Sequence, residues 1–328
     1  VGVDGRPALS AGARVNIVLL FPGQGSQKPG MGKDLAEKFP AARAVFDAAD
    51  AALGVPLSKL CFEGPEEELT ATQNAQPALF AHGAAAWAVV REWLAPKVRA
   101  AAGHSLGEFT AHHAAGTFGL PEGLRLVRKR GELMADCGKR VPGAMAAILG
   151  LAEDLVESAC DEAAAATKGV VVPANYNTAE QLVISGDVAA VEKAMEFAKA
   201  KGAKRALRLN VSGAFHSPLM ESAVDGLKAA LDAAGAKPAA FPVWTNVWAA
   251  PADDAAAATR TLREQLTSPV RWREEVERLA AAVPGALFVE LGPGNVLANL
   301  VKRIVPGAET AGCGTAAEVD LLRARVAA

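Results

Sequence analysis

Val98-Arg-Ala-Ala-Ala-Gly-His-Ser-Leu-Gly-Glu108 is the stretch from which the rest of this 328-residue chain can be read. Val98 to Ala102, small and mostly apolar, predict a short strand, and Leu106 to Ala115 predict the start of a helix. Between them, Gly103-His-Ser-Leu-Gly107 fits G-x-S-x-G, a turn that lifts a serine hydroxyl out of the end of a strand. Glycine on both sides of Ser105 permits a strained backbone and leaves room for a substrate beside the hydroxyl. The first N–H groups of the helix then face the place where an oxyanion would develop.

A nucleophilic serine needs a base, and the chain has five histidines. His104 is next to Ser105 on the turn, so its side chain should diverge from the hydroxyl. His112 and His113 continue the same helix away from its N-terminus, which predicts a polar or half-buried helix surface. No well-spaced third ligand joins them, so no metal site is expected. His82, in an alanine-rich helical run, reads as structural. His216 differs from these four: it follows the extended Ala206–Ser212 and sits in a loop closed by Pro218, where a side chain can project over a site. It is the favoured base.

Glu122 to Asp136 predicts a second informative helix. At 100° per residue, Leu126, Val127, Leu133 and Met134 share an arc of about 120°, with Arg125, Arg128, Lys129, Glu132 and Asp136 opposite. Arg130 falls in the middle of the apolar arc. A guanidinium facing inward must find an anion or several acceptors. Two readings stand side by side: an internal Asp or Glu partner, or a bidentate clamp for a substrate carboxylate.

Val15 to Phe21 is a continuous apolar run, as a central strand of a doubly covered parallel sheet requires, and Pro22-Gly-Gln-Gly-Ser-Gln27 follows at once. A glycine loop at the C-terminal end of such a strand is where open α/β sheets contact ligands. Lys28 stands where the third glycine of G-x-G-x-x-G would be, and no phosphate-cradling G-x-x-x-x-G-K-[ST] occurs. The loop is therefore either a tight turn or a source of a Gln24 N–H or amide for the site.

From Gly143 the rhythm changes. A strand to Leu149, a helix from Glu153 to Ala166, strands at Val170–Pro173 and Gln181–Ser185 around a turn-rich Asn175–Thr178, a helix from Val188 to Lys201 and a strand from Arg205 to Val211 give β-α-β-β-α-β, the ferredoxin-like order. Phe241–Thr245 and Leu287–Leu291 are further strand candidates. The expected fold is α/β: a hydrolase-like core with a mostly parallel sheet, residues 15–141 and 212–328, and an inserted ferredoxin-like α+β subdomain, residues 142–211. Residues 1–14 read as a flexible leader, or the trimmed end of a targeting peptide.

Composition sets outer bounds. A 51% hydrophobic content is ample for a buried core, and a net charge of −2 argues against a nucleic-acid binder. No apolar run reaches the roughly 18 residues of a membrane span. Cys61, Cys137, Cys160 and Cys313 show no C-x-x-C spacing and read as reduced thiols, pointing to the cytoplasm, with plastid or mitochondrial matrix as alternatives. Basic stretches at Lys199, Lys201, Lys204, Arg205 and Arg208, and at Arg125, Arg128, Lys129, Lys139 and Arg140, read as solvated surface.

In family order, Phe21–Gln27, Gln76-Pro-Ala78, Gly103–Glu108, Arg130-Gly131, Ala214-Phe-His-Ser217, Gln265–Trp272 and Glu290-Leu-Gly-Pro-Gly294 resemble the malonyl-CoA:acyl-carrier-protein transacylase family, which includes polyketide-synthase acyltransferase domains. The resemblance runs from about Val15 to Pro306. It implies that Ser105 carries the acyl group, that His216 is its base, and that N–H groups of Gln24 and Leu106 form the oxyanion hole. It implies that Arg130 pairs with the malonate carboxylate and that a main-chain carbonyl at Gln265 orients the histidine. Phe215 resembles the malonyl-selecting form of the family, although one methyl rarely decides more than about 1–3 kcal/mol. The substrates implied are malonyl-CoA and the phosphopantetheine arm of an acyl carrier protein, with no bound cofactor or metal, in a protein working as a monomer. One of the basic stretches would steer an acidic carrier. The rival readings are a serine hydrolase or thioesterase, a trans-acting polyketide acyltransferase, and a non-catalytic scaffold.

Overall fold

Residues 15–327 are described by a computed structural model; the expected leader at 1–14 lies outside them. The apolar run becomes β1 (Ile17–Phe21), with all five side chains buried. Four helices follow: α1 (Lys33–Lys38), α2 (Pro40–Leu53), α3 (Leu57–Glu63) and α4 (Glu66–Thr70). The alanine-rich α5 (Thr72–Leu94) then leads into β2 (Val98–Gly103), α6 (Leu106–Ala114) and α7 (Leu120–Arg140). The last is longer at both ends than its apolar arc suggested. Gly119 precedes it in an extended conformation, Pro121 suits its first turn, and Lys139 and Arg140 complement the dipole at its end.

Next come β3 (Gly143–Leu149), α8 (Glu153–Thr167), β4 (Val171–Thr178), β5 (Gln181–Asp187), α9 (Val188–Ala200) and β6 (Arg205–Arg208). The chain returns through a 3₁₀ turn at Pro218–Ala223 to α10 (Val224–Ala234), β7 (Trp244–Thr245) and β8 (Ala250–Pro251). It finishes with α11 (Ala255–Glu264), α12 (Trp272–Ala282), β9 (Leu287–Glu290), α13 (Val296–Ile304), β10 (Glu309–Gly312) and α14 (Ala316–Ala327).

The main sheet has the order β10-β9-β1-β2, all parallel, so β1 is central. Alternation along β1 divides its side chains between two layers. Ile17, Leu19 and Phe21 pack with α5 and α6, whereas Val18 and Leu20 join Trp272, Val276 and Leu279 of α12 and Leu297, Leu300 and Val301 of α13. Both faces are covered, which is why β1 shows no polar alternation.

The second sheet has the order β4-β5-β3-β6 and is antiparallel. With α8 and α9 on one face it forms a β-α-β-β-α-β unit with its own apolar cluster, including Ile148, Val156, Leu182, Ile184 and Val191. The turn-rich reading of Asn175–Thr178 is corrected: these residues extend β4, leaving only Ala179 and Glu180 as the turn. The reason is pairing on both edges. Beyond β5, Tyr176 N–H donates to Val270 O at 2.9 Å and Val270 N–H donates to Ala174 O at 2.8 Å, joining the small sheet to the chain just before α12. The strand expected to run from Arg205 to Val211 ends at Arg208, and that expected over Phe241–Thr245 keeps only Trp244 and Thr245, with Val243 bridging Ala101 of β2.

No helix among the described residues is long and apolar enough to cross a membrane. All four cysteines are buried free thiols.

Candidate active site

Ser105 sits between β2 and α6 with φ 52° and ψ −107°, a conformation that non-glycine residues rarely adopt. Close packing explains both glycines of the motif. A Cβ on Gly103 would lie 2.0 Å from the Gly107 carbonyl carbon, and one on Gly107 would lie 1.9 Å from Phe21 O. The elbow is thus pressed against the end of β1. The same end carries the loop with Gly23, where a Cβ would lie 2.5 Å from His104 O.

His216 reaches the serine from the far side of the inserted unit, 111 residues later in the chain. Its Nε2 is 2.8 Å from Ser105 Oγ, and its Nδ1 is 2.8 Å from the main-chain oxygen of Gln265. A carbonyl can only accept, so Nδ1 carries the hydrogen and Nε2 presents its lone pair to the hydroxyl. Burial, and then the charge of Arg130, push the imidazole down to about 3. A base held neutral in this way stays competent in acid. Protonation of His216 itself therefore falls well below neutral, and its limb in kcat/KM for the acyl donor should lie below about pH 5. A limb near the ordinary histidine value that persists in Glu108→Gln would contradict this placement.

Arg130 is 1% exposed, on the inward face of α7. Its Nη1 donates to Gln76 Oε1 at 2.8 Å, while Nη2 donates to Gln265 Oε1 at 2.9 Å and to Ser105 Oγ at 3.1 Å. Nε has no partner. Among the described residues no carboxylate forms an ion pair with it, although the nearby Glu108 charge opposes the effect of burial. Burial brings the guanidinium down to about 10, which leaves it cationic at neutral pH. Of the two readings of Arg130, the internal carboxylate partner is therefore not found.

These groups open into a cavity of about 290 Å³ lined by Gln24, Ser105, Leu106, Arg130, Phe215 and His216, with Met134, Met145 and Leu209 as apolar wall. Among the described residues neither Gln24 N–H nor Leu106 N–H has a protein acceptor, whereas Ser105 N–H is taken by Asn246 Oδ1 at 2.8 Å. The Gln24 side chain is turned to Thr72 Oγ1, 3.2 Å away. Gln265 lies behind the cavity, fully buried, linking histidine, arginine and elbow.

The other histidines separate as follows. His104 diverges from the serine and bonds Asn177 Oδ1 at 2.8 Å; His82 is buried against Gly314 O at 2.8 Å. His112 corrects the surface expectation: it is buried beside Thr117 and Phe118, and burial pushes it down to about 3. Of the two basic stretches, Lys201 and Arg208 pair with Glu162 and Glu192, and Arg125, Arg128 and Lys139 pair within α7.

Several buried polar residues at the site were not singled out by their chemistry in the sequence. Gln76 appeared only as a shared motif, Glu108 only as the end of the elbow motif, and Asn246 and Glu275 not at all. Glu108 Oε2 accepts from Asn246 N–H at 3.0 Å and from Gln265 Nε2 at 2.7 Å. Burial raises Glu108 to about 7 and Glu275 well above the carboxylate range. No group of three or more His, Cys, Asp or Glu side chains suited to a metal occurs among the described residues.

A parallel sheet with a serine elbow, a histidine reaching it from beyond an inserted antiparallel unit, and a buried arginine beside both describe an acyl-transfer scaffold. Residues 18–318 match the acyl transferase domain, and the chain belongs to that family. It is 46% identical over 289 residues to the malonyl CoA-acyl carrier protein transacylase of Bacillus subtilis (strain 168), covering 88% of this chain and 90% of that one. The acyl-carrier-protein-S-malonyltransferase of Bartonella henselae superposes with a TM-score of 0.90 at 42% identity, over 95% of this chain and 100% of the other. A malonyl-transacylase solved in complex with its type II PKS acyl-carrier protein matches with a TM-score of 0.88 and 41% identity, over 93% and 98% of the two chains.

Proposed function

We propose that this chain transfers malonyl from malonyl-CoA to the phosphopantetheine thiol of an acyl carrier protein, for fatty-acid synthesis, through an ester on Ser105. The observation that carries the malonyl assignment is Arg130, a buried cation with no carboxylate partner among the described residues, one nitrogen 3.1 Å from Ser105 Oγ. An acyl group on that oxygen that itself ends in a carboxylate would supply the missing anion.

The chemistry follows from the hydrogen bonds. Ser105 Oγ attacks the thioester carbonyl carbon while its proton passes to His216 Nε2, and the free N–H groups of Gln24 and Leu106 receive the oxyanion. The C–S bond breaks, and the proton on His216 leaves with the CoA sulfur. The carrier thiol then gives its proton to His216 and attacks the ester, and Ser105 Oγ departs and recovers that proton. The Gln265 carbonyl orients and stabilises the imidazolium where other serine enzymes use a carboxylate. Phe215, at the cavity wall beside His216, would crowd a methyl on the α-carbon.

In this reading residues 15–141 and 212–328 act as the catalytic unit and 142–211 as a small unit over the cavity. In the same reading the protein works as a monomer and without a bound cofactor. Four buried free thiols suit a reducing compartment such as the cytoplasm.

Intact-protein mass spectrometry after mixing with malonyl-CoA tests the proposal. Expected is one malonyl adduct on Ser105 that persists until holo carrier protein is added and then moves to it. Loss to water at the same rate without carrier would make the protein a hydrolase or thioesterase, and no adduct would make it a scaffold.

A further inference from the structure

Asn246, directly after β7, is fully buried and does not itself line the cavity, yet each of its polar groups is engaged at the elbow or beside it. Its Nδ2 donates to Gly103 O at 2.8 Å and to Glu275 Oε2 at 2.9 Å. Its Oδ1 accepts from Ser105 N–H at 2.8 Å and from Gln265 Nε2 at 3.1 Å. Its own N–H donates to Glu108 Oε2, and its carbonyl accepts from Arg271 N–H at 3.0 Å. The amide can sit only one way round, because a flipped group would set its oxygen against Gly103 O and its NH₂ against Ser105 N–H.

Gly103 C=O and Ser105 N–H are the main-chain groups on either side of His104, at the point where β2 turns over into the φ 52° residue. A conformation that L-residues rarely hold persists only where its surroundings over-determine it. The same contact takes up the Ser105 N–H and leaves Leu106 N–H as the elbow donor facing the cavity.

We propose that Asn246 is a positioning residue for acyl transfer: its carboxamide, fixed in orientation by Glu275 and Gln265, clamps both sides of the elbow and holds the strained turn that presents Ser105. The proposal rests on the malonyl-transfer reading. Asn246 meets no reacting atom; it acts through the backbone of Ser105.

The closing experiment uses the isosteric Asn246→Asp, which replaces the donor to Gly103 O by an oxygen. The titratable and charged groups around the position are Glu108 from α6, Glu275 from α12 and, across Gln265, Arg130 and His216. The Arg271 guanidinium is turned to Glu274 and Val247 O instead. Expected is a kcat for malonyl transfer lower on the order of a hundred-fold at pH 8, the scale of a slightly misplaced reacting group, with KM for malonyl-CoA little changed. As pH falls and the new carboxyl takes up a proton, it regains one donor, so kcat should climb toward acid relative to the native enzyme.

A native kcat in Asn246→Asp, or a loss without the acid climb, overturns the proposal. If Asn246→Asp does not fold, Asn246→Ser decides: a neutral, shorter side chain should lower kcat at unchanged KM, and native kcat there overturns the proposal. Failure of the native protein itself to form a malonyl ester would instead overturn the functional reading.

Discussion

Ser105→Ala is expected to eliminate the malonyl adduct and reduce turnover on the order of a million-fold, because no second group replaces a lost nucleophile. The fold should survive. Among the described residues the serine side chain makes no capping bond to α6, and its hydroxyl hydrogen-bonds only with His216 Nε2 and Arg130 Nη2. Arg130 keeps Gln76 and Gln265, and His216 keeps the Gln265 carbonyl. Thermal unfolding should therefore be unchanged or slightly higher, in keeping with the strain that active sites store. Adduct mass and Tm on one sample check both parts. A folded Ser105→Ala protein that still gains malonyl mass would remove Ser105 as the nucleophile.

Arg130→Ala is expected to separate substrates that the native protein discriminates. Truncating one partner of a desolvated charge pair costs about 3–5 kcal/mol, so kcat/KM for malonyl-CoA should fall by roughly two to four orders of magnitude. Acetyl-CoA has no carboxylate to lose. It should suffer only from the freed oxygens of Gln76 and Gln265, and gain because a buried cation no longer opposes an apolar acyl end. The malonyl-to-acetyl ratio should drop on the order of a hundred-fold, and Arg130→Lys should restore it only in part, since an ammonium cannot make the two-pronged contact. Equal losses for both substrates would mark Arg130 as structural and move malonyl selection elsewhere.

These residues were legible in the sequence to different degrees, for physical reasons. Ser105 announced itself through glycines whose missing Cβ atoms admit Phe21 and the first turn of α6. Arg130 showed as a charge inside an apolar arc. Glu275 gave the same signal, lying with Trp272, Val276 and Leu279 on the buried face of α12. Asn246 gave none: an asparagine after a two-residue strand looks like any turn residue, and its partners lie as far as 143 residues away. The β4 error has the same origin. Asn175–Thr178 has turn chemistry, and only pairing with β5 and with Val270 makes it strand. The β-α-β-β-α-β order was readable because local periodicity sets each element, whereas the cross-chain bridge at Val270 leaves no local trace.

The position of β1 also governs how the chain can be made. Among the described residues β1 is the earliest strand and lies inside the sheet, and its neighbour β9 is the ninth of the ten described. Throughout most of translation Ile17–Phe21 therefore has one unfilled edge and no α12 or α13 over Val18 and Leu20. An open edge on an apolar strand is what other chains add to. Nucleophile and base can both have emerged while the Gln265 carbonyl and the closing strand are still unmade, so chemical competence and protection from aggregation arrive together, once Gln265 and β9 have been added.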